Sequence, residues 1–315
     1  METLHFPKPA YKNYNTELRN KFGKRVQKIS INAGFTCPNR DGSKGYGGCT
    51  YCNNQSFSPN FTKQIVSVTQ QINQNILFFE KRQSQDQYYL AYFQSYTNTY
   101  GSMKDLKQLY EEALSHPKIS GIVIGTRPDC VSDELLDYFA KLGSKTYVML
   151  EYGIESTCDK TLGFIQRGHD YACAEKAIKA TAERGIATGA HLILGLPGED
   201  RNNILLHAEK LSKLPLTALK LHQLQLVEKT IMAKQYRTHP EWFHLYSKEE
   251  YLQLVINFLE RLHPDIALER FISQSPLQML IAPKWGLKNY EFANMLQKAL
   301  VERNSWQGKY YENNI

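Results

Sequence analysis

The chain has 315 residues, 42% of them hydrophobic, and a formal net charge of +7. That size supports one large core or a core with an appendage, and six cysteines in such a length are not a disulfide scaffold. No apolar run reaches the ~18 residues of a membrane span, and the start METLHFPKPAYKNYN lacks the apolar core and cleavage site of a signal peptide, so a reducing cytoplasm and no membrane are expected.

Residues 1–25 are polar and aromatic, with Pro7 and Pro9, and read as an N-terminal arm lying on the body. A repeating rhythm of strands and helices then begins. Lys28–Asn32 is a short β-type run. Thr62–Arg82 carries Ile65, Val68, Ile72, Ile76 and Phe79 at helical spacing. Tyr88–Phe93 reads as a strand, and Ser102 is placed to cap the next helix, with Asp105 three residues on. Gly121–Ile124 is a buried strand. Ser132–Leu142 is a capped helix with Leu135, Leu136 and Phe139 inward. Tyr147–Leu150, Thr188–Leu194 and Ala218–Leu221 are strands, with helices over Tyr171–Arg184 and Arg201–Leu211 between them.

Six strands alternating with helices imply right-handed crossovers and a parallel sheet. The expected fold is α/β: a partial (β/α)6 barrel over residues 26–230, with an α-rich C-terminal extension over 231–315 packed on it. In the extension, Ser247–Leu262 and Asn289–Arg303 are helices and Ile266–Leu268 is one more strand.

The chemistry centres on CPNRDGSKGYGGCTYC, residues 37–52. It holds Cys37, Cys49 and Cys52 in a C-x11-C-x2-C spacing within a glycine-rich loop. Three thiolates can hold three irons of a four-iron cluster and leave the fourth iron open. Zinc would need a fourth ligand, which only a distant residue such as His5 or His116 offers, since no histidine lies between Val26 and Gly101. A redox pair at Cys49 and Cys52 would leave Cys37 and the glycines unexplained. Cys130, Cys158 and Cys173 stand apart and read as core or surface thiols.

Cys49-Thr50-Tyr51-Cys52 resembles the end of the motif of the radical S-adenosylmethionine (SAM) superfamily. The long first gap is similar to the elongator catalytic-subunit group and its bacterial relatives of the YtqA/YhcC type. QSYTNTY (94–100), TRPDC (126–130), QRGHD (166–170), HLILGLPGE (191–199) and APKW (282–285) carry the resemblance along nearly the whole chain.

The resemblance implies a [4Fe–4S] cluster on the three cysteines and SAM beside it, reduced by flavodoxin or ferredoxin, with cleavage to a 5′-deoxyadenosyl radical. It implies Tyr51 as a wall beside the open iron and the 94–98 segment (Gln94, Ser95, Thr97, Asn98) around the cofactor's amino group. It implies Arg167 on the cofactor's carboxylate and Leu194 against adenine. The elongator group commonly carries a glutamate before TRPD; Gly125 stands there, which shifts the ribose contact to Thr126 or Glu155. His191, Lys220 and His222 alternate along strands and are substrate-contact candidates. The resemblance points to transfer RNA and to the wobble uridine, with Lys284, Lys288, Lys298, Arg303 and Lys309 available to phosphates. The favoured conversion is carboxymethylaminomethyl to aminomethyl. The alternatives are a radical SAM enzyme acting on a small metabolite or peptide, and a non-catalytic iron–sulfur or zinc protein.

Overall fold

The computed structural model describes residues 9–56, 66–82 and 86–311. Residues 1–8 of the expected arm and 62–65 at the start of the first expected helix lie outside the described residues, as do His5 and Ile65.

The described part of the arm contains a helix, α1 (Tyr14–Phe22), closed by Asn13 at its N-terminus and by Gly23, at φ 74°, at its C-terminus. The chain then runs β1 (Arg25–Ile31), α2 (Val68–Glu80), β2 (Gln87–Phe93), α3 (Met103–Leu114), β3 (Ile119–Thr126), α4 (Asp133–Gly143), β4 (Tyr147–Glu155), α5 (Asp159–Phe164), α6 (Tyr171–Glu183), β5 (Ala187–Leu194), α7 (Arg201–Ser212) and β6 (Ala218–Gln223). After these come β7 (Leu226–Val227), α8 (Ile231–Thr238), α9 (Lys248–Leu259), β8 (Ala267–Arg270), β9 (Leu280–Ala282) and α10 (Asn289–Glu302).

Seven strands form one parallel sheet in the order β1-β2-β3-β4-β5-β6-β8. The sheet curls into a partial barrel with helices outside. The six-unit arc is thus extended by a seventh strand, β8, from the C-terminal segment. β7 and β9 pair antiparallel as a separate ribbon.

Alternation along the strands separates two cores. Outward residues such as Ile29, Phe93, Ile124, Leu150, Leu192 and Leu221 pack under the helices in one large apolar cluster. Inward residues form layers. The lowest is apolar: Leu90, Val123, Met149, Ala218 and Ala267 meet Tyr14 and Leu18 of α1. That helix is the floor of the barrel. Its Tyr14 hydroxyl lies 2.8 Å from the Tyr147 hydroxyl, and Phe22 packs edge-on against Tyr147.

The middle layer is ionic. Lys28 Nζ donates to Glu151 and to Glu269, each at 2.6 Å, and Lys220 Nζ donates to Glu151 at 2.6 Å and lies 3.2 Å from Glu269. Lys28 is on edge strand β1 and Glu269 on edge strand β8. Their ion pair joins the two edges of the sheet where no backbone ladder does. Lower down, Leu268 N donates to Lys12 O at 2.7 Å and α1 spans the same gap.

Helix starts follow from short polar caps. Ser102, Ser132, Asp170, Asp200, Thr230 and Ser247 each accept a hydrogen bond from a backbone N–H in the first turn. Ser247 and Glu250 cap reciprocally, with Glu250 N to Ser247 Oγ at 3.2 Å and Ser247 N to Glu250 Oε2 at 2.8 Å. Ser247→Ala is expected to cost about 1 kcal/mol, read in denaturant melts as a lower midpoint at unchanged slope.

Candidate active site

A cavity of about 960 Å³ runs from the loops at the C-terminal ends of the strands along the inward residues to α1 and the start of β1. That is at the upper end of the ~300–1,000 Å³ usual for a small-molecule site. Cys37, Cys49 and Cys52 line it, on the loop that follows β1.

The loop is held from several sides. Thr50 N donates to Ile165 O (2.9 Å), Asn39 Nδ2 to Gln166 O (2.6 Å), and Met232 N to Thr50 O (2.8 Å). Gly168 has φ 75°, and a Cβ there would lie 3.2 Å from Asn39 Oδ1, so glycine lets the 166–170 segment approach the loop. The TRPD run is a brace for both. Arg127 is buried, forks onto Asp129 at 2.9 and 3.0 Å, and donates to Arg167 O at 2.7 Å; Lys44 of the loop reaches Asp129 at 2.5 Å. Burial would raise the Asp129 carboxyl, but Arg127 and Lys44 outweigh it and hold it well below the carboxylate range.

Cys49 Sγ accepts from Asn39 Nδ2 (3.4 Å) and from Arg167 Nη1 (3.5 Å). Such donors stabilise sulfur that carries negative charge. Burial, reinforced by Cys49, pushes the Cys52 thiol up to about 12. Coordination deprotonates such a thiol outright. Among the described residues no three His, Cys, Asp or Glu side chains converge on one point as a single ion requires.

Beside Cys49 lies an acid–base pair. Glu155 ends β4 with φ 71°, after a register shift against β5, and its carboxylate is 3.7 Å from Arg167. Arg167 Nη2 donates to Gly153 O at 2.5 Å, while its Nε is buried without a partner. A Cβ on Gly153 would fall 2.5 Å from Glu155 Oε1 and 2.6 Å from Arg167 Nη2, so only glycine leaves room for the pair. The turn after Glu155 is pinned by the end of the GLPGE run: Ser156 Oγ donates to Glu199, whose other oxygen is 3.2 Å from His207 Nε2, and His207 Nδ1 is 2.7 Å from Thr157 Oγ1. These residues fit a cluster on the three thiols with a zwitterionic cofactor against it. The Cys49 sulfur accepts two side-chain donors, and a guanidinium with an unused buried donor lines the same space.

The other sequence-derived candidates divide. Tyr51, Gln94, Thr97, Thr126, Glu155, Arg167, His191, Lys220 and His222 all line the cavity. The Thr126 hydroxyl is already engaged, 2.5 Å from Thr99 Oγ1. Ser95 and Asn98 are buried behind the wall, where Asn98 Nδ2 donates to Gly125 O at 2.7 Å. Leu194 is the clear correction. It is fully buried under the helices, and Ile193 lines the cavity in its place. The strand period of two puts 191 and 193 on the inner face and 194 on the outer.

Lys28, Tyr92, Glu151, Glu269 and Arg270 were not legible as site residues, yet all line the same cavity. Glu151 is 1% exposed and accepts from both lysines and from His191 Nε2 at 3.1 Å. Burial alone would raise it; Lys220, Lys28 and His191 outweigh burial and hold it well below the usual range. Lys28 is raised despite its burial by Glu151 and Glu269, whereas burial keeps Lys220 lowered, with Lys28 and Arg270 adding repulsion. For Lys28, Tyr92 and Lys220 the available signal was a second polar residue two positions on, Ser30, Gln94 and His222; Glu151, Glu269 and Arg270 carry no such signal.

A partial parallel barrel with three cysteines on the loop after its first strand defines an iron–sulfur enzyme of the SAM-cleaving kind. The chain belongs to the radical SAM superfamily: that superfamily's model matches residues 32–211, and the Radical SAM C-terminal domain model matches 216–302. Its cofactors are a [4Fe–4S] cluster and SAM. It is 34% identical over 305 residues to protein YtqA of Bacillus subtilis, covering 96% of this chain and 93% of YtqA. It is 35% identical over 275 residues to protein YhcC of Escherichia coli, covering 86% of each. Over 99 residues it is 27% identical to a protein of Methanocaldococcus jannaschii named tRNA uridine(34) acetyltransferase, covering 31% of this chain and 17% of that one. Its fold is similar to that of the archaeal Methanocaldococcus infernus Elp3 lacking its N-terminus. There the TM-score is 0.66 at 16% identity, over 90% of this chain and 64% of that one.

Proposed function

We propose that this radical SAM enzyme modifies transfer RNA at the C5 side chain of the wobble uridine, converting carboxymethylaminomethyl to aminomethyl. The observation that carries the reading is the 99-residue match to a protein named tRNA uridine(34) acetyltransferase. The carbon between amine and carboxylate in that side chain has a weakened C–H bond, because the radical it leaves is stabilised from both sides. Loss of one further electron to the electron carrier and of the amine proton gives an imine, which water splits into the aminomethyl group and glyoxylate.

When bound, the cluster and SAM supply a 5′-deoxyadenosyl radical able to remove such a hydrogen. The protein's own residues hold and orient. Cys37, Cys49 and Cys52 carry the cluster, and Asn39 and Arg167 steady the Cys49 sulfur. Arg167, whose Nη atoms already serve the Cys49 sulfur and Gly153 O, takes the cofactor's carboxylate with its remaining donor capacity, and Glu155 faces the ribose. Gln94 and Thr97 receive the amino end, with Ser95 and Asn98 shaping that loop from behind. Tyr51 walls the open iron, and Ile193 rather than Leu194 faces the adenine. Lys220, His191 and His222 meet the substrate across the lumen. Lys284, Lys288, Lys298 and Arg303 are exposed outside the cavity, and with Lys309 they meet phosphates. Flavodoxin or ferredoxin supplies the electron.

Nucleoside profiling of transfer RNA from cells with and without the gene tests this. Without it, carboxymethylaminomethyl uridine is expected to accumulate at the expense of aminomethyl uridine. An unchanged profile would remove the reading.

A further inference from the structure

The middle layer of the barrel is charge-balanced by itself, with Lys28 and Lys220 shared between Glu151 and Glu269. Arg270 stands next to this cage and outside that balance. The pairing of β6 with β8 runs Ala218 to Ala267 and Leu219 to Leu268, then jumps to Lys220 opposite Arg270, passing over Glu269. This is a β-bulge, which re-aims side chains and is frequent beside active sites. In a regular strand Arg270 would follow Leu268 to the outer face. The bulge instead brings two consecutive residues, Glu269 and Arg270, to the cavity wall.

Among the described residues Arg270 makes no ion pair with any carboxylate. Arg270 is solvent-exposed and lines the cavity beside Lys220, its register partner on β6. Burial, then His191, then Arg270 hold His222 well below its ordinary value, so that ring is neutral and adds no compensating charge. Among the described residues Arg19, Arg25, Arg40 and Arg270 line the cavity without an ion pair, and of these four it is Arg270 that stands on the wall formed by β6 and β8, opposite Lys220. Arg167, by contrast, already has Glu155, and it stands on the wall that carries Cys49.

We propose that Arg270 binds an oxyanion carried by the substrate, either a carboxylate on its reacting side chain or a phosphate of its backbone. A guanidinium is matched to either by two parallel hydrogen bonds. The proposal depends on the transfer-RNA reading only for what carries the oxyanion.

The test compares the reconstituted wild-type holoenzyme with R270Q on three anticodon stem-loops of one sequence. Their wobble uridines are unmodified, aminomethyl or carboxymethylaminomethyl. If the oxyanion is the side-chain carboxylate, the wild type prefers the third RNA by about tenfold or more. R270Q then loses that preference while binding the other two unchanged. If it is a phosphate, R270Q weakens all three alike and lowers the salt slope by about one. Unchanged affinities for all three, or a matching loss of SAM affinity, would overturn the proposal. Because the substitution removes a cation from beside two lysines, the variant is expected to melt no lower than wild type.

If the wild type binds none of the RNAs, the transfer-RNA reading fails by itself. Arg270 is then read by phenylglyoxal modification mapped on peptides, with inorganic phosphate and N-methylglycine as protectants. Protection at Arg270 by either supports an oxyanion site, and protection by neither removes it.

Discussion

Cys49→Ser is expected to abolish the four-iron cluster and, with it, formation of 5′-deoxyadenosine from SAM. Cys49 is the most enclosed of the three loop cysteines, 6% exposed, and the one whose sulfur accepts two side-chain donors. Serine keeps the shape but is a hard, poorly acidic ligand in place of a soft thiolate. Anaerobic reconstitution should then give iron and sulfide well below four per chain, with 5′-deoxyadenosine at background. Cys130→Ala, Cys158→Ala and Cys173→Ala should load iron as the wild type does. Burial, with Asp129 beside it, pushes the Cys130 thiol up to about 12, marking it as an inert thiol rather than a poised one. A full cluster in C49S, or loss of iron in C130A, would contradict the assignment of the loop.

Glu151→Gln is expected to be the most damaging single change away from the cluster. It leaves Lys28 and Lys220, both deep in the barrel, to share Glu269 alone. Removing one partner of a buried ion pair typically costs about 3–5 kcal/mol, against a total stability on the order of 5–15 kcal/mol. The loss should exceed that of a cap variant such as S247A several-fold. It also has a pH signature. The Glu151 carboxyl is lower in the folded chain than in the unfolded one. Its contribution is therefore complete above the ordinary value of 4.5 and is lost as pH falls through the depressed folded value. Lys28 runs the other way: it is raised on folding, so its contribution is complete below 10.5 and is lost as pH rises through the folded value. Denaturant melts of E151Q should thus show a shallower acid limb than wild type. An unchanged midpoint would mean that the cage does not hold the barrel's open edge.

The elements that were legible carried their own local signals. Ser102, Ser132 and Ser247 stand before periodic apolar runs, and β2 to β5 are short stretches with aromatic or β-branched residues. Helix α1 was missed because its surface is polar apart from Tyr14, Leu18 and Phe22, four residues apart, and that stripe only has meaning once a barrel floor exists to receive it. The cysteines were legible from type and spacing. The Lys28–Glu151–Lys220–Glu269 cage was not, because its members come from four strands spread over more than 240 positions, and each alone is an ordinary charged residue. Leu194 was misplaced by one step of strand parity that His191 could have set. The bulge at Glu269 has no marker in the sequence, so nothing there distinguished Arg270 from an outward-facing residue.

The most direct test places deuterium on the carboxymethyl carbon of a carboxymethylaminomethyl uridine in transfer RNA. The RNA is incubated anaerobically with the reconstituted enzyme, SAM and a reductant. Deuterium is expected to appear in 5′-deoxyadenosine in step with formation of aminomethyl uridine. 5′-Deoxyadenosine that forms without deuterium, with the nucleoside unchanged, would contradict the proposed substrate while leaving the SAM chemistry intact.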